Sequence, residues 1–179
     1  MLLLAVAGWS FAEAILLFLV ADIAISIVAV VHGWRAAVKA AFVAALAATA
    51  GGAAAYLWAQ GDPAGAHAAM LALPAIGEPL IAETAAELAS GGNLAMLWGS
   101  LSGTPYKLYA LAAGSGGREL FPFLLATPLV RLPRFLIAAL LVSGISALLS
   151  RHLGLKLRLA ILGLFWLTFY LWYLGTMPG

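Results

Sequence analysis

Long apolar stretches are the feature of this sequence that most limits its fold. A helix needs about 20 apolar residues to cross the hydrocarbon core of a membrane, and four stretches approach that length: 14–31, 36–59, 120–149 and 159–174. The chain is 65% hydrophobic and only 9% charged, whereas soluble domains are near half apolar and a quarter charged. A soluble fold would therefore leave a large apolar surface in water. The sequence predicts an all-α, polytopic integral membrane helix bundle.

Composition also argues against several functional classes. The net charge of +2 comes from scattered residues and forms no basic stripe for nucleic acid. Cysteine is absent, and His32, His67 and His152 share no metal-ligand spacing. No nucleophile–base pair stands out. We expect no metal, no cofactor, no nucleic-acid partner and no enzymatic activity.

The 179 residues form one predicted domain, which we divide by composition into six segments. They are a first hairpin or span at 11–31, a transmembrane helix at 36–59, an extracytoplasmic loop with a surface helix at 60–93, a re-entrant hairpin at 94–114, and transmembrane helices at 120–149 and 159–177. In the loop, the helical period puts one set of residues on an apolar face and another on an acidic face. The apolar set is Ile81, Thr84, Ala85 and Leu88, and the acidic set is Glu83 and Glu87.

The re-entrant hairpin is predicted from a break and from charge. Gly103, Thr104 and Pro105 interrupt segment 94–114, and each half of about nine residues is about 14 Å long as a helix, roughly half the membrane core. Basic residues begin the second stretch and follow the third. The positive-inside rule places both groups in the cytoplasm, so the segment between them crosses twice or not at all.

Lys107 has the most informative context of the ionisable residues at predicted membrane depth. Thr104 suits the N-cap of the second half-helix, and Pro105 suits its first position. The helix start would then aim free amide groups and the Lys107 ammonium into the protein, which favours anion binding. Secondary transporters place substrates at such broken helices. The alternative is a buried bridge from Lys107 to Glu13 or Asp22 that only orders the bundle.

Arg131 and Arg134 are three residues apart and share one helix face. A guanidinium matches phosphate oxygens bidentately, so the pair is a candidate phosphate clamp. The alternatives are snorkelling to the interface and pairing with Glu13 and Asp22.

Glu13 and Asp22 are nine residues apart, about 13 Å along one side of a straight helix. They come closer only if the chain breaks between them. Carboxylates in apolar surroundings can carry protons, so proton coupling is one interpretation. The other is that they are counter-ions for the three cations. Glu13 has a third option, an interfacial position at a helix end.

Several motifs resemble the DedA family, also called SNARE-associated or VTT-domain membrane proteins, and are most similar to its short YqaA-like branch. The matching runs are Phe11-Ala12-Glu13 with Asp22, Pro105-Tyr106-Lys107, Ala112-Ala113-Gly114, Pro122 to Ala126 and Arg131 to Phe135. The resemblance implies two re-entrant hairpins in an inverted repeat and translocation of phospholipid or lipid carriers, coupled to protons. It assigns the acidic pair to Glu13 and Asp22 and the basic residues to Lys107, Arg131 and Arg134. The branch usually carries prolines between the Glu and the Asp. Residues 17–21 contain none, so the sequence leaves open a hairpin or a full span there.

The function we expect is a transporter or scramblase/flippase of a phosphate-bearing lipid, either a phospholipid or a polyprenyl phosphate. Thr104, Pro105, Lys107, Arg131 and Arg134 would bind the substrate, while Glu13 and Asp22 would exchange protons. The alternative is a non-transporting membrane organiser or assembly factor with a buried ion-pair network. We expect membrane lipids as partners and a multi-pass location in a bacterial-type inner membrane, with a homo-oligomer as an open option.

Overall fold

The computed structural model describes residues 1–176, and every regular element in that range is helical. The predicted last span ends at residue 177, which lies outside the described residues. A 3₁₀ turn at Gly92–Leu94 precedes the sixth of nine α-helices in the described part. The helices are α1 (Leu2–Ile15), α2 (Asp22–His32), α3 (Trp34–Gly61), α4 (Pro63–Leu71), α5 (Glu78–Gly91), α6 (Ala95–Ser102), α7 (Tyr106–Ser115), α8 (Leu120–Leu149) and α9 (Leu155–Thr176).

Within residues 1–176, three helices, α3, α8 and α9, are long and apolar enough to cross a membrane. Their 28, 30 and 22 residues exceed the roughly 20 that a bilayer core requires. The all-helical architecture is therefore consistent with a helical membrane bundle. The helix α8 continues through Pro128 and Pro133.

The alanine-rich helix α3 lies at the centre of the bundle, where it packs against α1, α2, α7 and α8. Its buried face consists mostly of small residues, which let backbones approach closely. At Gly51 the approach is extreme, because a Cβ there would lie 2.4 Å from the carbonyl oxygen of Phe11 in α1. Small side chains on α3 thus fix the distance between the two helices.

The helix α5 packs on α7 at one end of the bundle. Ile81, Thr84 and Leu88 are buried, while Ala85, which we placed on the same face, is exposed. Glu87 accepts a 2.5 Å hydrogen bond from the Tyr109 hydroxyl of α7. The short helix α4, which the sequence reading did not separate, lies just before α5 in the chain.

A break at 103–105 separates α6 from α7. Gly103 adopts a φ of 103°, a left-handed conformation that glycine reaches without steric cost. The side chain of Asn93, ahead of α6, donates to the carbonyl oxygen of Pro122 at 3.1 Å. Arg118, after α7, donates to the carbonyl oxygen of Leu88. The residues before α6 are therefore bonded to the residues after α7, so the start of α6 and the end of α7 lie close together.

A second break, at 16–21, separates α1 from α2. It lies within the apolar stretch 14–31, where the sequence left open a hairpin or a full span, and it forms without proline. Side chains from distant elements satisfy the backbone here: Trp9 Nε1 donates to Leu19 O at 3.0 Å, and Val20 N donates to the Tyr170 hydroxyl at 2.8 Å. These tertiary bonds replace the helical ones that the break removes.

The helix α9 lies at the edge of the bundle, and none of its described residues is fully buried. It contacts α2, and the Tyr170 and Tyr173 rings pack against Phe18 with centroids 5.4 and 6.0 Å away. Arg158 near its start bonds to the Ser146 hydroxyl of α8 at 2.8 Å. These contacts place the aromatic face of α9 over the first break.

Candidate functional site

The five ionisable residues singled out from the sequence converge on the two breaks. Glu13 lies in the last turn of α1 and Asp22 at the start of α2, on either side of the first break. Lys107 lies in the first turn of α7, just after the second break. Arg131 and Arg134 reach them from the middle of α8. All are buried except Arg134, whose side chain is 25% exposed.

Glu13 forms an ion pair with Arg131, and both side chains are about 95% buried. The guanidinium lies over the rings of Tyr106 and Phe135, at 5.0 and 4.8 Å from the ring centroids. Such cation–π contacts offset part of the cost of burying the charge. Among residues 1–176, the Arg131 Nε atom has no hydrogen-bond partner, so this guanidinium keeps a free donor.

Asp22 forms a second ion pair, with Arg134, at 3.0 Å between carboxylate oxygen and guanidinium nitrogen. Arg134 also donates to the carbonyl oxygen of Ser100 in α6 at 3.1 Å. One side chain of α8 therefore ties α2 to α6. Both arginines are paired with the acidic residues, one of the alternatives that their spacing left open.

Lys107 differs from both arginines. Its ammonium donates to the carbonyl oxygen of Leu17 in the first break, at 2.7 Å. No carboxylate in the described part of the chain lies within 4.0 Å of it. The bridge from Lys107 to Glu13 or Asp22 is therefore not formed. Three cationic side chains face two carboxylates, and Lys107 carries the excess positive charge.

The predicted capping of α7 is wrong in detail. The helix begins at Tyr106, with Pro105 in the cap position and no capping side chain. The Thr104 hydroxyl lies 3.4 Å from the Ser102 hydroxyl instead. Because proline fixes the extended backbone before the helix, α7 starts one residue later than expected. Its first turn, with Lys107, still faces the bundle interior.

A cavity of about 60 Å³ lies between the two breaks. Such a volume has room for a few water molecules. Glu13, Thr104, Pro105, Lys107, Arg131 and Arg134 line it, together with aromatic rings of α7, α9 and the first break. The structure therefore brings all the predicted site residues around one cavity except Asp22, which reaches it through Arg134.

Sequence reasoning missed the aromatic side of this cavity. Phe18, Tyr170 and Tyr173 line it, and none of the three was among the predicted site residues. Tyr106 also lines it and bonds through its hydroxyl to Thr127 at 2.8 Å. No local pattern pairs residue 18 with residues 170 and 173, so only tertiary structure reveals this wall.

The side chains of the site include donors that an anion could accept. Within residues 1–176, no three His, Asp or Glu side chains are grouped to hold a metal ion. The free donor on Arg131 and the Lys107 ammonium instead offer charged N–H groups, which phosphate oxygens accept.

Comparison with known proteins adds no relative, since no family model, curated protein or solved structure matches the chain.

Proposed function

We propose that this protein translocates a lipid with a phosphate headgroup across a membrane, as a transporter or scramblase, without covalent chemistry. The observation that carries the proposal is Lys107, a buried cation whose partner is a carbonyl oxygen and not a carboxylate. An ionised side chain at membrane depth costs roughly 2.5 kcal/mol or more. A bound phosphate would supply the missing negative charge at the start of α7.

The neighbouring arginines extend the same site. The buried Arg131 Nε has no partner among the described residues, and Arg134 is partly exposed at the cavity. A phosphate that enters would be contacted by an ammonium and two guanidinium groups, which bind phosphate with charge-assisted hydrogen bonds. Because the cavity is small, the headgroup must displace water and separate the walls.

Glu13 and Asp22 are the proposed sites of proton exchange. Each holds one arginine in the unloaded site. Protonation of either carboxyl would weaken its ion pair and release a guanidinium for the phosphate. Binding of the anion and uptake of a proton would then support each other.

The two helix breaks support the membrane arrangement that the DedA resemblance implies. The helix–break–helix units α1–α2 and α6–α7 meet through the bond between Lys107 and Leu17. The helices α6 and α7 have eight and ten residues, each too short to span a bilayer. We propose that both units are re-entrant hairpins of a VTT-like inverted repeat, in a multi-pass protein of a bacterial-type inner membrane.

A second candidate function is a non-transporting membrane organiser. The two closed ion pairs and the small cavity favour it, because such a network can fix helix positions without binding a substrate. In that case Lys107 would serve only to satisfy the Leu17 carbonyl.

Reconstituted vesicles distinguish the two functions. Wild-type protein should translocate a labelled phospholipid or a polyprenyl phosphate, and a pH gradient should alter the rate if protons are coupled. The Lys107→Gln variant keeps a side-chain donor near Leu17 but loses the charge, so we expect at least a tenfold lower rate with the fold retained. Lys156→Gln, at an exposed position of α9, makes the same change in net charge and should behave as wild type.

Two results would reject the transport function. One is wild-type protein that moves neither lipid faster than empty vesicles. The other is a Lys107→Gln variant that remains folded, by gel filtration and thermal unfolding, and translocates at the wild-type rate.

A further inference from the structure

An apolar groove of about 400 Å³ lies between α6, α8 and α9. Leu101 of α6, Ile137 of α8 and Phe165, Trp166 and Trp172 of α9 form most of its walls. All of these except the half-buried Trp166 are exposed, and their rings and aliphatic groups give the groove the character of a hydrocarbon-binding surface.

The groove adjoins the charged cavity. Gly103, Arg134, Phe169 and Tyr173 line both. The junction is at the second helix break, where Gly103 has no side chain and a Cβ would meet nothing within 4 Å. The apolar groove and the cationic cavity therefore adjoin at a position that has no side chain.

The junction between the groove and the cavity also contains a charged side chain. Arg134 lies there, partly exposed, with its guanidinium held by Asp22 and the Ser100 carbonyl. On one side are Lys107 and Arg131, and on the other are mostly apolar and aromatic groups, with the hydroxyls of Ser100, Ser102 and Tyr173. A cationic surface that is followed by an apolar surface matches an amphiphile with an anionic head and a hydrocarbon tail.

We infer that the groove between α6, α8 and α9 holds one hydrocarbon chain of the lipid whose phosphate binds at Lys107. The inference rests on the proposed function and adds to it the place and the direction of the tail. The hydrocarbon chain of the lipid leaves the headgroup site past Gly103 and lies against Ile137 and the aromatic face of α9. Binding strength therefore depends on tail length as well as on the phosphate.

A series of alkyl phosphates tests the groove separately from the headgroup site. Inorganic phosphate, butyl phosphate and dodecyl phosphate are titrated into the full chain in amphipol, and dissociation constants are measured by thermophoresis. We expect dodecyl phosphate to bind wild-type protein at least tenfold more tightly than butyl phosphate, because burying each methylene group is favourable.

Variants with a larger side chain in the groove show whether the tenfold gain in affinity for dodecyl phosphate arises there. Ile137→Trp and, independently, Leu101→Trp should remove most of the tenfold gain while leaving the affinity for inorganic phosphate within twofold of wild type. Leu129→Trp is the matched control: it lies on α8, is 72% exposed and does not line the groove. It should keep the full gain.

The outcomes separate the two hypotheses. If wild-type protein binds inorganic phosphate and Lys107→Gln does not, but tail length has no effect or the filled variants keep the gain, the groove inference is overturned and the headgroup site stands. If neither inorganic phosphate nor any alkyl phosphate binds wild-type protein through Lys107, the proposed function itself fails.

Discussion

The ammonium of Lys107 lies 2.7 Å from the carbonyl oxygen of Leu17, so the start of α7 is bonded directly to the break between α1 and α2. A carbonyl left without a partner at membrane depth costs several kcal/mol, and Lys107 removes that cost. The bond uses one of the three donors on an ammonium group. The same side chain can therefore hold the two breaks together and bind an anion.

The Glu13–Arg131 pair should be strongly coupled. Removing one partner with Glu13→Leu or Arg131→Met leaves a buried charge alone, and we expect each variant to lose about 3–5 kcal/mol of stability. The double variant should lose clearly less than the sum. Thermal or denaturant unfolding in detergent measures the stability of the wild type, the two single variants and the double variant, which together form a double-mutant cycle. Additive losses would mean that the two side chains do not interact in the folded protein.

The Tyr170 hydroxyl should stabilise the first break. Tyr170→Phe leaves the Val20 amide without its acceptor, and we expect a loss of about 1–3 kcal/mol with faster hydrogen exchange at residues 16–21. Tyr173→Phe is the control, since the Tyr173 hydroxyl has no hydrogen-bond partner among residues 1–176. Equal exchange in both variants would contradict this role for Tyr170.

The close contact between α1 and α3 should depend on Gly51. In Gly51→Ala the new Cβ would lie 2.4 Å from Phe11 O and 2.8 Å from the Cβ of Ala14, so the helices must separate. We expect a cost of about 1–3 kcal/mol, typical of overpacking. Gly144→Ala, inside α8 with nothing within 4 Å of its Cβ, should be neutral or stabilising by up to about 1 kcal/mol. The melting temperatures of both variants provide the comparison. A Gly51→Ala variant with the melting temperature of the wild type would show that α1 and α3 are less closely packed than in the structure.

The proposed re-entrant arrangement predicts which positions share a side of the membrane. The chain has no cysteine, so single cysteines can be placed at exposed Ser90, Ser115 and Ser150. An impermeant thiol reagent should label Ser90→Cys and Ser115→Cys from the same side, because in the proposed hairpin α6 and α7 enter and leave the membrane on one side. Ser150→Cys should react from the opposite side. Labelling of the first two from opposite sides would make α6–α7 a full crossing.

The sequence predicted the second break better than the first. A Gly-Thr-Pro run interrupts 94–114 by local backbone chemistry, since glycine reaches positive φ and proline restricts the residue before it. Residues 16–21 contain neither glycine nor proline. Their break depends on Trp9, Lys107 and Tyr170, two of which are 90 and 150 residues distant from the bonds they make. Local patterns contain no information about such partners.

The cluster of charges was predictable in its membership but not in its pairing. A charge in an apolar stretch is costly, and that alone selected Glu13, Asp22, Lys107, Arg131 and Arg134. Which carboxylate holds which cation depends on how α1, α2 and α8 pack. The structure pairs Glu13 with Arg131 and Asp22 with Arg134, and leaves Lys107 as the excess cation.

The amino-acid sequence by itself determined that this chain forms apolar helices long enough for a membrane and that five ionisable groups must find partners inside them. It did so because hydrophobic length and the cost of burying charge are local properties of the chain. Only the tertiary structure decided that two breaks meet, that aromatic rings of α9 cover them and that Lys107 bonds to a carbonyl and not to a carboxylate. These features depend on distances between residues far apart in sequence, which packing alone sets.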